Sequence, residues 1–141
     1  MSKKLKAGFI YLKKYNSFVD GEEKDKLLVQ LNNPRNGEPF LFCLTTSKEK
    51  PYRKKYPMGC QNNSKYFFIK KCEYFILDTW LEIEKVKEIK YDEILKFHFS
   101  KELIYKNKID KNCLAEIKQC VEKSIDISDK YISLISETIL I

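Results

Sequence analysis

Where an apolar run ends at Leu44, the chain reads LTTSKEKPYRKKY from Leu44 to Tyr56. The hydroxyls of Thr45, Thr46 and Ser47 thus stand directly before a burst of cations. That combination suits chemistry at phosphate. A displacement at phosphorus needs a group that takes the nucleophile's proton and a fixed cation that holds the charge building on the phosphoryl oxygens. Arginine is the scarce cation: Arg35 and Arg53 stand against twenty-five lysines. If a planar guanidinium fork is needed, one of these two supplies it. Arg35 precedes the apolar run FLFCL and Arg53 follows it, so both flank one expected strand and are expected to reach one site at that edge of the sheet. Each also has an ordinary reading, the arginines as surface side chains and the hydroxyls as partners for loose backbone groups at a strand end.

Other chemistries are closed off by the inventory. One histidine, His98, excludes a two-histidine acid–base mechanism, and it has no evident link to any cysteine that could serve as a nucleophile. The glycines Gly8, Gly21, Gly37 and Gly59 are scattered, so there is no phosphate loop, and no G-x-S-x-G elbow occurs. The five cysteines are odd in number and include no C-x-x-C pair, so neither a disulfide framework nor a zinc site is expected. Cys43, Cys113 and Cys120 are expected as core thiols, while Cys60 and Cys72 lie among polar residues. In EIEKVKEIKYDEI carboxylates alternate with lysines, which reads as a solvated face. No cofactor and no metal is expected.

Charge is concentrated. From Lys48 to Lys71 there are eight cations and one anion, Glu49; elsewhere cations and anions cancel at nineteen each, so the net charge of +7 resides in this segment. Such an edge suits a polyanion, and the interleaved Tyr52, Tyr56, Tyr66, Phe67 and Phe68 offer stacking surfaces, several of them also needed in the core. Among these cations Lys48, Lys50, Lys54 and Lys55 are the candidate phosphate-holding side chains. A solvated lysine-rich loop is the ordinary alternative. No run approaches the roughly 18 apolar residues of a membrane span, and Ala7–Leu12 is too short for a signal core. The expectation is a cytoplasmic protein with no membrane partner.

The elements that position these residues follow from period and punctuation. AGFIYL, LLVQL, FLFCL and YFFI read as strands, and NNPRNGEP as an exposed hairpin connection. SFVDGEEKDK reads as a loop turning at Asp20-Gly21, and the basic segment as a long loop. DTWLEIEKVKEI suits a strand followed by a helical turn or second strand. Asp110 is expected to cap a helix over KNCLAEIKQCVEK, with Cys113, Leu114, Ile117, Cys120 and Val121 on its apolar face. Ser128 is expected to cap a second helix over DKYISLISETILI, whose apolar positions reach Ile139. The expected whole is one α+β, mainly β domain over residues 1–141: a strongly curved sheet or barrel over 1–90 and a helical part over 91–141.

The run from FCLTTSKEKPY through KYFFIKKCEYFILDTWLEIEKVKEI to IDKNCLAEIKQCVEKSIDIS resembles the MazF/PemK family of toxins, from Phe40 to Ser128. In that family a buried strand ends in a Thr-containing box, and a polar loop carrying Lys and Pro follows. An acidic-hydroxyl pair, here Asp78-Thr79, then opens an apolar strand, and a helix comes last. The resemblance implies an SH3-like β-barrel with C-terminal helices. It also implies the toxin role in a type II toxin–antitoxin pair and metal-independent endoribonuclease cleavage of single-stranded RNA, often mRNA, by attack of the 2′-hydroxyl. Carried over by position, the box threonine is Thr45, with Thr46 and Ser47 beside it, and the arginine is Arg35, with Arg53 as the second candidate. The implied partners are RNA, a small acidic antitoxin and a second copy in a homodimer. An SH3-like module that holds RNA or an acidic protein segment without cutting is the alternative.

Overall fold

The computed structural model describes residues 5–16 and 24–137. In chain order the elements are β1 (Phe9–Asn16), β2 (Lys24–Gln30), β3 (Phe40–Thr46), β4 (Gly59–Gln61), β5 (Tyr66–Ile69), β6 (Thr79–Ile89), α1 (Tyr91–Phe99), β7 (Leu103–Lys108), α2 (Lys111–Glu122) and α3 (Asp129–Ser136). The seven strands form one sheet in the order β4-β5-β6-β3-β2-β1-β7, and every pairing is antiparallel. The chain is thus α+β and mainly β, with three helices among the described residues. The ladder runs from β4 at one edge to β7 at the other, and no pairing among the described residues joins these edges.

Side chains alternate across the sheet, and both faces are apolar. One face carries Ile10, Val29, Leu41, Cys43, Phe67, Leu81 and Ile83, packed beneath Leu114, Ile117 and Val121 of α2 and Ile135 of α3. The other carries Tyr11, Leu28, Phe42 and Leu44 beneath Ile94 of α1, then Tyr66, Phe68 and Trp80 farther along. β3 lies between these covers and is buried along all seven residues. That explains why FLFCL is apolar throughout and does not alternate.

Helix α2 begins where Asp110 accepts a hydrogen bond from the Cys113 N–H at 2.8 Å, and α3 where Ser128 accepts from the Tyr131 N–H at 3.3 Å. Both caps match the sequence reading. Tyr74 reinforces the first, since its hydroxyl donates to the other Asp110 oxygen. That bond and the N–H contacts hold the Asp110 carboxyl below its ordinary range.

Four features depart from the sequence reading. DTWLEIEKVKEI is one strand, β6; it stays continuous because its partner β3 shifts register, from Cys43↔Val86 to Leu44↔Glu82, and the chain bends there. YDEILKFHF forms α1, which buries one residue, Ile94, and so carried almost no periodic signal. Residues 91–141, expected to be helical, also contain β7, which pairs with β1. Cys60 and Cys120 form a disulfide, with Cα atoms 5.5 Å apart, so Cys120 is not a free core thiol. No sequence spacing marks this pair, because β4 and α2 meet only in the fold. The expected turn at Asp20-Gly21 and the position Ile139 lie outside the described residues. No helix among the described residues is long and apolar enough to cross a membrane.

The disulfide closes a segment of 60 residues. A crosslink over that length removes unfolded-state entropy worth about 4 kcal/mol. Thermal melts with and without dithiothreitol should separate accordingly, and Cys60→Ser should melt like the reduced wild type in both. Asp110→Ala should cost about 1 kcal/mol in urea unfolding at neutral pH. Because the folded Asp110 pKa is depressed, its contribution is present above the unfolded carboxyl pKa and lost as pH falls through the folded value.

Candidate active site at the root of the basic loop

The connection from β3 to β4, residues 47–58, is the basic loop, and its backbone is tied down at few points. Gln61 at the end of β4 is the main clasp. Its Nε2 donates to the carbonyls of Lys54 at 2.8 Å and Pro57 at 3.0 Å, while its Oε1 accepts from the Lys54 N–H at 2.9 Å. Trp80, fully buried on β6, donates its indole N–H to the same Lys54 carbonyl at 2.9 Å. Asn62 reaches the Tyr52 carbonyl at 3.3 Å. Lys50 and Arg53 exchange backbone hydrogen bonds, which closes a tight turn around Pro51-Tyr52. One buried glutamine and one buried tryptophan thus hold a lysine-rich loop over an aromatic floor.

That turn folds Arg53 inward. Arg53 is only 8% exposed, although it sits in the most charged stretch of the chain. Its Nε donates to the Lys48 carbonyl at 3.0 Å, and its guanidinium carbon lies 5.3 Å from the ring centre of Tyr52 and 5.6 Å from that of Tyr66. The rings are themselves stacked, 6.1 Å apart. Contacts of this kind fix a guanidinium through its faces and stem. The terminal Nη groups take no hydrogen-bond partner among the described residues, so the charged fork is held in place and left to accept an oxyanion.

Carboxylates gather around the Tyr66 hydroxyl. Tyr66 pairs with Glu82 across β5 and β6, and its Oη donates to Glu84 Oε1 at 3.3 Å. Burial pushes the Tyr66 phenol above its ordinary value and the Glu84 charge adds to this, while Arg53 opposes it. Glu82 is 5% exposed, with Lys85 Nζ 2.9 Å from its Oε2. The contact satisfies the ion pair in distance but lacks hydrogen-bond geometry at that oxygen. The carboxylate–lysine alternation of β6 therefore is not a solvated face at this end: Glu82 is buried and Glu84 half-buried. One guanidinium, one phenol and two carboxylates converge, a set able to hold an oxyanion and take up a proton. Among the described residues no three His, Cys, Asp or Glu side chains cluster as metal ligands do.

The structure brings only some of the sequence candidates here. Arg53, Lys48, Lys50, Lys54 and Ser47 all belong to this loop, and Ser47 and these lysines are exposed. Lys55 is partly committed, 3.2 Å from Asp78. Thr45 is buried at 5%, and its hydroxyl donates to the Leu27 carbonyl at 2.8 Å, so the ordinary backbone-pairing role describes it here. Thr46 likewise accepts from the Lys48 N–H at 3.3 Å. Arg35 does not share the site. It precedes the Phe40 end of β3 whereas Arg53 follows the Thr46 end, about 20 Å away along a strand that rises roughly 3.3 Å per residue. There its Nη2 pairs with Glu38 at 3.1 Å and with Glu137 at 2.7 Å, just past α3. Flanking one strand in sequence means standing at its opposite ends in space, which overturns the expectation that both arginines reach one site.

Glu82 and Glu84 escaped the sequence reading. Their alternation with Leu81 and Ile83 was the available signal. That alternation by itself implies a solvent face, because nothing in the sequence says that the Tyr66–Trp80 face is roofed by a loop. No protein-family model matches the chain, and no curated protein matches it.

Gln61→Leu removes three hydrogen bonds while keeping the side chain's bulk. It leaves the Lys54 N–H and the Pro57 carbonyl without their partner, at a cost of about 1–3 kcal/mol. Hydrogen exchange at the Lys54 amide should accelerate, and protease cleavage within 47–58 should appear under native conditions. Unchanged protection would show that Trp80 alone suffices to hold the loop.

Proposed function

We propose that this chain is a metal-independent endoribonuclease acting on single-stranded RNA, and that it is the toxin of a type II toxin–antitoxin pair with an SH3-like barrel of the MazF/PemK kind. The observation that carries the reading is Arg53: a guanidinium anchored by Tyr52, Tyr66 and the Lys48 carbonyl, with its Nη groups unbonded among the described residues, beside the Tyr66–Glu84 pair and beneath a loop of lysines. In this reading a 2′-hydroxyl loses its proton to Glu84, and its oxygen attacks the adjacent phosphorus. Arg53 holds the charge on the phosphorane's equatorial oxygens. The bond to the 5′-oxygen breaks, that oxygen takes a proton from water, and a 2′,3′-cyclic phosphate and a 5′-hydroxyl end remain. Tyr66 is a positioning residue that orients Glu84. Lys48, Lys50 and Lys54 hold flanking phosphates. Homodimerisation, a small acidic antitoxin drawn to the same cations, and a cytoplasmic location belong to the same proposal. In the cytoplasm, Cys60 and Cys120 would be kept reduced, and the chain would work without its crosslink.

A second reading has its own support. Thr45 is spent on the Leu27 carbonyl and Arg35 on Glu38 and Glu137, so the two side chains that the family resemblance puts at the centre are unavailable. A barrel that binds RNA or an acidic segment without cutting it accounts for that directly.

Incubating the protein with a long single-stranded RNA in EDTA and mapping new ends separates the two readings. Discrete cuts with 5′-hydroxyl ends are expected. Arg53→Ala should slow cutting about 10²–10³-fold, Arg53→Lys less, and Glu84→Gln about 10²–10⁴-fold, the last with an unchanged melting profile. Arg35→Ala should cut at the wild-type rate. RNA left intact at high protein concentration would reject cleavage and favour the binding module.

A further inference from the structure

At the Phe40 end of β3, away from Arg53, the surface opens into a groove of about 770 Å³ between the first strand, the β2–β3 connection and the start of α2. Clefts of roughly 300–1,000 Å³ are the size that holds small ligands or short polymer segments. Its chemistry is of two kinds. Lys6, Lys108 and Lys111 line it, and all three are exposed. Phe9, Phe40 and Tyr91 also line it; the Phe40 and Tyr91 rings stack at 6.2 Å with planes 17° apart, and Tyr91 remains 56% exposed. The only carboxylate in the lining is Asp110, and its two oxygens are taken by the Cys113 N–H and the Tyr74 hydroxyl. The groove therefore presents cations at its rim and an aromatic stack with one open face, and its single anion has both oxygens engaged in internal hydrogen bonds.

The geometry points to this groove as a binding site for single-stranded RNA, with a base stacked on Tyr91 and flanking phosphates held by Lys108, Lys111 and Lys6. A cationic groove with exposed aromatic faces is how strands are bound without sequence preference, since every base has a π-face and every linkage a charge. An acidic peptide would use the lysines but gains nothing from an open tyrosine stack; that favours RNA. The groove and Arg53 lie at opposite ends of β3, so one strand running along the molecule could touch both. The inference rests on the ribonuclease proposal only in taking RNA as the ligand, and it assigns a binding role to residues outside the basic loop.

The test is fluorescence anisotropy with a labelled single-stranded RNA oligonucleotide bearing 2′-O-methyl groups, which block cleavage. Tyr91→Ala should weaken binding about ten-fold, and Tyr91→Phe should restore it. Lys108→Ala with Lys111→Ala should lower the slope of log affinity against log salt by about 1.4. All these side chains are exposed, and circular dichroism should show each variant folded. RNA bound equally by wild type and variants would overturn the groove and leave the cleavage reading standing. No binding by wild type would overturn the groove; absence of cuts in unmodified RNA as well would overturn the reading beneath it. Poly-glutamate bound in place of RNA, and lost in the lysine variant, would overturn the nucleic-acid assignment.

Discussion

Strand β3 is shut off from water on both faces, and most of the remaining structure answers that constraint. An antiparallel strand at the middle of a sheet needs two neighbours, which β2 and β6 provide. Its apolar side chains on one face need α2 and α3, and those on the other need α1. Burying a run such as FLFCL stabilises the fold by about 1.5–3 kcal/mol for each large side chain. Losing either cover would expose one alternating set of them. The helices are therefore not appended to a finished sheet; they complete the burial on which its central strand depends.

The same constraint creates the candidate site. Past the reach of α1, the face carrying Tyr66, Phe68 and Trp80 still needs a roof, and the basic loop supplies it. A loop so rich in lysine cannot cover aromatic rings with apolar side chains. It does so with backbone carbonyls bonded to Gln61 and Trp80, and with the flat face of one arginine. Arg53 is thus drawn inward by packing while its lysine neighbours remain in water. An arginine can serve here where a lysine could not, because a guanidinium is weakly hydrated along its faces and keeps its donors in plane. Anchoring and availability come from different parts of one side chain.

The register shift between β3 and β6 links the two parts of the fold. It brings Leu44 opposite Glu82, which the β5–β6 ladder sets level with Tyr66 and strand alternation puts on the same face as Trp80. A buried carboxylate is costly unless paired, and Lys85, within the unpaired stretch of β6, comes to 2.9 Å of it. The disulfide acts at the neighbouring position: Cys60 adjoins Gln61, so the tie from β4 to α2 also steadies the residue that clasps the loop. The charge cluster is held by the bend and the clasp together.

The sequence by itself determined the elements whose signals are local. The helix caps at Asp110 and Ser128 are read from a side chain and the N–H three residues on; the strands FLFCL and YFFI are read from continuous apolar runs; the concentration of charge is read by counting. It also showed that Arg53 was one of two possible guanidinium sources. Only the tertiary structure set what surrounds each of them, because that depends on which end of β3 each occupies: carboxylates for Arg35, aromatic rings for Arg53. It alone decided that Thr45 is spent on the Leu27 carbonyl, that Glu82 is inside, and that Cys60 meets Cys120. Most of these contacts join residues far apart in the chain, and a period of two or 3.6 residues reports only which way a side chain faces. What it faces is set by the elements packed above it.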